Sequence, residues 1–325
     1  MYKVSRENNI EFVTVKNFQG LEVVFADFAA SIYLIKFCDE IMTPQVKYSK
    51  DFTQSDVSFG KTIGRVAGRI SNHKILVDGE EFFLSCNERN NTLHGGLDGF
   101  SHKFFKSEVC ENEDFTEIKY SYTSPDGESG FPGKAEVLIT YRVYNHKNTI
   151  TISFDVITSK KCPFSLTTHT YFNLGDDSIK NLSLYVDADK YVSCNEETMV
   201  PETEENVFET INFKKQKNLN DFIDDESINR KSYCGYDHIL LLNESQLNKE
   251  QIILENQKYR FLISTDLNAV VIYSDNFENQ YEVNSTNLYR RRGIAIEPEM
   301  SPLSDIMIDK GNHYFHTIRY DFEKK

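Results

Sequence analysis

Residues 135–158 read AEVLITYRVY, then NHKN, then TITISFDVIT. Within the second run Ile150, Ile152, Phe154 and Val156 alternate with Thr151, Ser153 and Asp155. Successive side chains of a strand point to opposite faces, so this period of two marks a strand with one face buried, not a helix. The polar tetrapeptide Asn145-His146-Lys147-Asn148 between the two runs predicts a long antiparallel hairpin.

The same alternation spreads outward from that hairpin. Ile118, Tyr120 and Tyr122 alternate with Lys119, Ser121 and Thr123, and Leu182, Leu184 and Val186 with Ser183, Tyr185 and Asp187. Near the C-terminus Ile318, Tyr320 and Phe322 alternate with Thr317, Arg319 and Asp321. Helical periodicity is scarce: 216–230 and 245–250 have room for a short helix, and neither carries a broad apolar face. No linker rich in Pro, Gly or Ser divides the chain, and no repeat recurs at solenoid or propeller spacing. These observations predict an all-β fold, a large single-domain antiparallel β-sandwich spanning residues 1–325. The acidic cluster Glu196, Glu197, Glu202, Glu204, Glu205 and Glu209 reads as a solvated loop rim.

Composition narrows the function. The 325 residues carry 36 Lys+Arg against 50 Asp+Glu, a net charge of −14, and 39% are hydrophobic. Phosphate backbones and anionic lipid are bound by Lys and Arg displacing counterions, so nucleic acid and membrane are poor partners for such a surface. The start, MYKVSRE, lacks the basic and apolar segments of a signal peptide, and no run approaches the ~18 apolar residues of a spanning helix. The six cysteines lie at least 24 residues apart with no CxxC pair, a spacing that suits neither a disulfide framework nor structural zinc. A cytoplasmic protein with reduced thiols is expected.

Five clusters combine functional side chains with glycine or turn residues. Gly64-Arg65-Val66-Ala67-Gly68-Arg69 matches no phosphate loop, and Arg69 reads either as a fork donor to ligand hydroxyls or as a surface pair. In Leu93-His94-Gly95-Gly96 two glycines let backbone approach a ligand beside an imidazole. Ser124–Gly133 (SPDGESGFPG) is a long turn suited to shaping a rim. In Thr167-Thr168-His169-Thr170-Tyr171-Phe172-Asn173-Leu174 a His ends a polar and aromatic strand, a place for a proton donor or for a satisfied structural His. In Gly293–Met300 (GIAIEPEM), Glu297 follows an apolar run, where a carboxylate faces solvent or serves as a base. Asp237 in Gly235-Tyr236-Asp237-His238 is a further candidate, with an Asx turn as its alternative. No HxH pair exists, and the spacing of His313 and His316 puts their rings on opposite faces of a strand, so no metal is expected.

Taken together and in order, these clusters resemble the aldose 1-epimerases, also called galactose mutarotases. That family runs GR-xx-NRI, TLHGG, PDG-xx-G-(F/Y)-PG, H-(S/T)-YFNL, GYDH and a late G-(I/V)-x-(I/L)-E, and the matches here span residues 60–300. The resemblance implies the galactose mutarotase-like supersandwich and interconversion of the α and β anomers of free hexoses such as galactose and glucose. It implies Glu297 as general base on the anomeric hydroxyl and His169 as general acid on the ring oxygen. Arg69, His94 and Asp237 become the residues that hold the sugar, with no cofactor and no metal. Two positions depart from the family: Gly68 stands where it usually has Asn, and Glu299 where it usually has Gln. Glu299 would then be a substrate ligand, a modulator of Glu297, or the base itself, unless Pro298 ends the strand pairing first. The run Arg290-Arg291-Arg292 would offset that charge, meet a phosphorylated sugar, or lie at the surface. Other readings are epimerisation of a disaccharide such as maltose or of a hexose phosphate, and sugar binding without turnover. The assembly is expected to be a monomer or homodimer.

Overall fold

The computed structural model describes residues 1–54, 58–228, 234–284 and 288–325. Strands Ala135–Tyr144 and Thr149–Thr158 pair antiparallel as the sequence predicts, with Ala135 opposite Thr158 and Val143 opposite Ile150. Their alternating residues, among them Ile139, Tyr141, Ile152 and Phe154, are fully buried. The hairpin is the nucleus of a nine-stranded sheet. Phe115–Ser124 and Lys106–Glu111 extend it on one side. On the other side the terminal strand His313–Lys324 joins it to Tyr259–Thr265, Ile252–Glu255, Ser183–Val186 and Lys217–Asn218. A six-stranded sheet runs in the order Tyr171–Phe172, Ile294–Glu299, Ala269–Tyr273, Asp237–Leu242, Ala188–Cys194, Pro201–Asn206. A five-stranded meander formed by residues 2–41 completes the larger sheets.

The larger of two apolar cores among the described residues lies between these sheets. The six-stranded sheet contributes Leu240, Val270, Ile272 and Ile296 to it. Because side chains alternate across a strand, the intervening residues Asp237, Ile239, Val271, Tyr273, Glu297 and Glu299 emerge on the opposite face. That face carries the candidate site.

Several local expectations are corrected. Residues 245–250 form a turn, not a helix, and within 216–228 helical structure is limited to a 3₁₀ turn at Leu219–Asp221; residues 229 and 230 lie outside the described residues. Neither segment had the apolar stripe that docks a helix on a core. Glu202, Glu204 and Glu205 belong to an exposed strand, Pro201–Asn206, at the edge of the six-stranded sheet, not to a loop. A charged edge strand discourages pairing with other chains.

The largest correction is Arg292, which is buried completely. Its Nε donates to Asp275 Oδ2 at 2.6 Å, its Nη2 to Asp275 Oδ1 at 2.9 Å and its Nη1 to Asn279 Oδ1 at 3.1 Å. The guanidinium also lies 5.0 Å from the centre of the Phe59 ring. Only a bidentate partner and further acceptors make such a burial tolerable. Arg291 donates to Asp224, and Arg290 is exposed. Replacing Arg292 with Leu strands Asp275 without its partner. It should lower unfolding free energy by about 3–5 kcal/mol in a denaturant titration, whereas Arg290→Ala should stay within about 0.5 kcal/mol.

Candidate active site

Register decides which side chains meet. Ile239 pairs with Val271 and Val271 with Glu297, so the three form a row across adjacent strands. Asp237 pairs with Tyr273 one step along, and Glu299 follows Glu297 at the next same-face position. Pro298 does not end the pairing: it sits opposite Val270, and the ladder continues to Glu299 opposite Ala269. The neighbour Tyr171–Phe172 pairs with only Ala295 and Ile294, so beyond Ala295 that side of the strand carries no ladder and tolerates a proline.

The opposite wall comes from the glycine-bearing loops. Arg69 pairs with Leu93 in a two-residue ladder. His94 is then held to Gly68 twice: its backbone N–H donates to Gly68 O at 3.0 Å, and its Nδ1 accepts from Gly68 N–H at 3.3 Å. With Nδ1 an acceptor, a neutral His94 carries its proton on Nε2, which leaves a donor for a ligand. Gly95 (φ +84) fits only as glycine, since a Cβ there would lie 1.9 Å from Gly64 O. His169 comes from the turn between strands Thr167–Thr168 and Tyr171–Phe172, fixed by backbone bonds to Gly60 and Lys61. Its ring stacks on Tyr171 at 5.0 Å and meets His94 edge-on at 5.5 Å.

Together these walls enclose a cleft of about 400 Å³. Arg69, His94, His169, Asp237, Glu297 and Glu299 all line it, so the six candidate acid, base and sugar-holding residues converge on one site. At its floor His169 Nε2 lies 3.3 Å from Glu297 Oε1, with the two residues 6% and 2% exposed. His169 Nδ1 is buried and has no hydrogen-bond partner among the described residues. Tyr171, Tyr273 and Phe277 supply aromatic surface.

The electrostatics follow from burial. Desolvation, then Glu299, then Asp237 hold the Glu297 carboxyl well above the usual carboxylate range. Glu299 is pushed up to about 8 by burial and by Asp237. Asp237 is also raised by burial, and Arg69 partly offsets the rise. Burial pushes His169 down to about 3 and His94 well below its ordinary value. The site therefore favours uncharged imidazoles and protonated carboxyls.

Other features escape sequence reasoning. Arg69 Nε and Nη2 bind Glu88 at 2.9–3.2 Å, so this wall arginine is already paired. Glu88 sits in an irregular loop with no periodic signal. Asp275, steadied by Arg292, and the cleft-lining Cys194 and Met199 were equally silent. Tyr171 lies inside the HTYFNL motif and was legible as part of it. The turn 124–133 does not line the cleft. It locks the buried Arg65 instead, through Ser124 Oγ at 2.7 Å and the carbonyls of Pro125 and Pro132.

The aldose 1-epimerase family model matches residues 11–321. The chain is similar to the aldose 1-epimerase of Escherichia coli K12, with 28% identity over 95% of this chain and 94% of that protein. It is also similar to the galactose mutarotase of Rattus norvegicus, with 28% identity over 83% of this chain and 80% of that one. A galactose 1-epimerase structure from Lactobacillus acidophilus superposes with a TM-score of 0.90 at 23% identity, covering 100% of this chain and 99% of that one.

A buried carboxyl raised from 4.5 to about 8 keeps, in the folded state, a proton that the unfolded chain has already released. Stability therefore falls as pH rises through that window. Glu299→Gln should flatten the decline in unfolding free energy between pH 5 and pH 8, by on the order of 2–4 kcal/mol. Denaturant titrations at the two pH values check this.

Proposed function

The chain belongs to the aldose 1-epimerase family, a family of isomerases, and on that premise we propose a mechanism for anomer interconversion built on His169 and Glu297. The substrate is a free hexose such as galactose or glucose. Glu297 takes the proton of the anomeric hydroxyl while His169 delivers one to the ring oxygen. The C1–O bond to the ring breaks, the aldehyde rotates about C1–C2, and closure on the other face reverses both transfers. The pair ends each turnover as it began, so no cofactor enters the balance.

The observation that carries this reading is the 3.3 Å contact between His169 and Glu297 at the cleft floor. Burial lifts the acid and lowers the imidazole, which biases the dyad toward a protonated carboxyl beside a neutral ring. Moving that proton from Glu297 to His169 creates the base and the acid at once without changing the total charge. A bound sugar favours the transfer: its anomeric hydroxyl donates to the carboxylate, and its ring oxygen accepts from the imidazolium. His169 Nδ1 has no hydrogen-bond partner among the described residues, so none fixes the tautomer of the ring.

His94, through Nε2–H, and Arg69 act on the sugar oxygens as donors, and Asp237 as an acceptor. The aromatic rings cover the apolar faces of the sugar. A cleft of about 400 Å³ suits a monosaccharide with its waters. Binding alone would not require an acid and a base buried in contact, which argues against a non-catalytic reading. The absence of disulfides among the described cysteines supports a reducing, cytoplasmic setting.

Exchange spectroscopy by NMR on galactose anomers provides the test. The native enzyme should accelerate exchange, and Glu297→Gln or His169→Asn should each reduce kcat by about 10²–10⁴-fold. Full activity in either variant, with its fold intact, overturns the assignment of that residue.

A further inference from the structure

Charge in the cleft is unbalanced. Among the described residues six carboxyl groups line it: Glu88, Asp237, Asp275, Glu278, Glu297 and Glu299. Arg69 is the one Lys or Arg among the described lining residues, and its Nε and Nη2 are both taken by Glu88. Asp275 is balanced from behind by Arg292, and Glu297 is occupied with His169. Of the other three, Glu278 is exposed to solvent; Asp237 and Glu299 remain, and neither carboxyl forms an ion pair or a side-chain hydrogen bond with a described residue. Glu299 is 3% exposed, a degree of burial that a carboxyl without a partner tolerates poorly.

The space beside Glu299 is empty on the protein side. Gly68 (φ +74) faces it, and a Cβ built on Gly68 meets a single atom within 4 Å, Glu299 Oε1 at 4.0 Å. Any side chain at position 68 would enter this space. Glycine leaves it to the ligand, between an unpartnered buried carboxyl and the wall carrying His94 and Arg69.

We propose that this subsite receives an ammonium group, so that the enzyme acts on aminodeoxy hexoses in their protonated form and prefers them to neutral hexoses. The proposal rests on the anomer-exchange reading above and extends its substrate class. A primary ammonium supplies three donors and one positive charge. Seated by Gly68, it satisfies Glu299 and lies within the field of Asp237, where charge-assisted hydrogen bonds are stronger than those of a hydroxyl. It also relieves the mutual repulsion of the carboxyl groups. A neutral sugar hydroxyl still donates there, so neutral hexoses remain substrates. A sugar carrying a carboxylate or phosphate meets repulsion from the ionised forms of these carboxyls, with no unpaired Lys or Arg among the described lining residues to offset it. The reaction is unchanged: the hemiacetal bond opens and recloses, and the amine takes no covalent part.

The test compares kcat/KM for anomer exchange on galactosamine, N-acetylgalactosamine, galactose and glucuronate at pH 6.5, with uncatalysed rates subtracted. In the native enzyme galactosamine should exceed galactose, and N-acetylgalactosamine, which fills the same position without charge, should fall below galactosamine. In Glu299→Gln the galactosamine-to-galactose ratio should drop about tenfold or more, while the glucuronate-to-galactose ratio rises. A residue that merely supports the fold would lower all four rates together and leave the ratios unchanged. Galactose exchange with galactosamine no better than galactose, or with ratios unmoved by the variant, overturns the ammonium subsite alone. No exchange on any of the four sugars overturns the reading on which it rests.

Discussion

A carboxyl and an imidazole lie 3.3 Å apart where water barely reaches either. In that setting an isolated charge on either group is costly. Burial therefore favours a protonated carboxyl beside a neutral ring, from which one proton can move between the two. Hemiacetal opening needs that combination, since one oxygen must lose a proton as another gains one. In the proposed mechanism the other features of the cleft either hold this pair in place or present a sugar to it.

The fold meets that constraint with two kinds of element. A six-stranded sheet commits alternate residues to the core, and its registry puts Ile239, Val271 and Glu297 in line on the other face. Loops that no regular element could replace bring the remaining groups. His94 is clamped to Gly68, and Gly95 passes too close to Gly64 O for any side chain. Arg292 and Arg65 lie behind these loops as fully bonded buried cations, and hold segments that have little apolar surface of their own.

Much of this was legible in the sequence because the strands have one buried face. Period two in Thr149–Thr158 and in the terminal strand gave the β architecture, and it put Glu297 and Glu299 on one side before any partner strand was known. The site residues were legible through short motifs, each tied to a backbone need such as the glycines after His94. Long-range pairing was not legible. Arg292 looked like part of a surface run, because nothing local reveals that Asp275, 17 residues earlier, folds back as its bidentate partner. Glu88 gave no signal for the same reason, since its partner Arg69 is reached across a loop. The turn 124–133 looked like a cleft rim from its glycines, yet its carbonyls serve Arg65. Composition marks a turn but not what the turn encloses.

The protonation state of His169 in the empty cleft is the most direct measurement. Nitrogen-15 NMR of histidine-labelled enzyme, assigned with His169→Asn, reports whether the ring is neutral or cationic. The account predicts a neutral imidazole from pH 5 to pH 8, with protonation only as pH nears about 3. Conventional titration near 6.5 would contradict it, because the dyad would then not be held to a single shared proton.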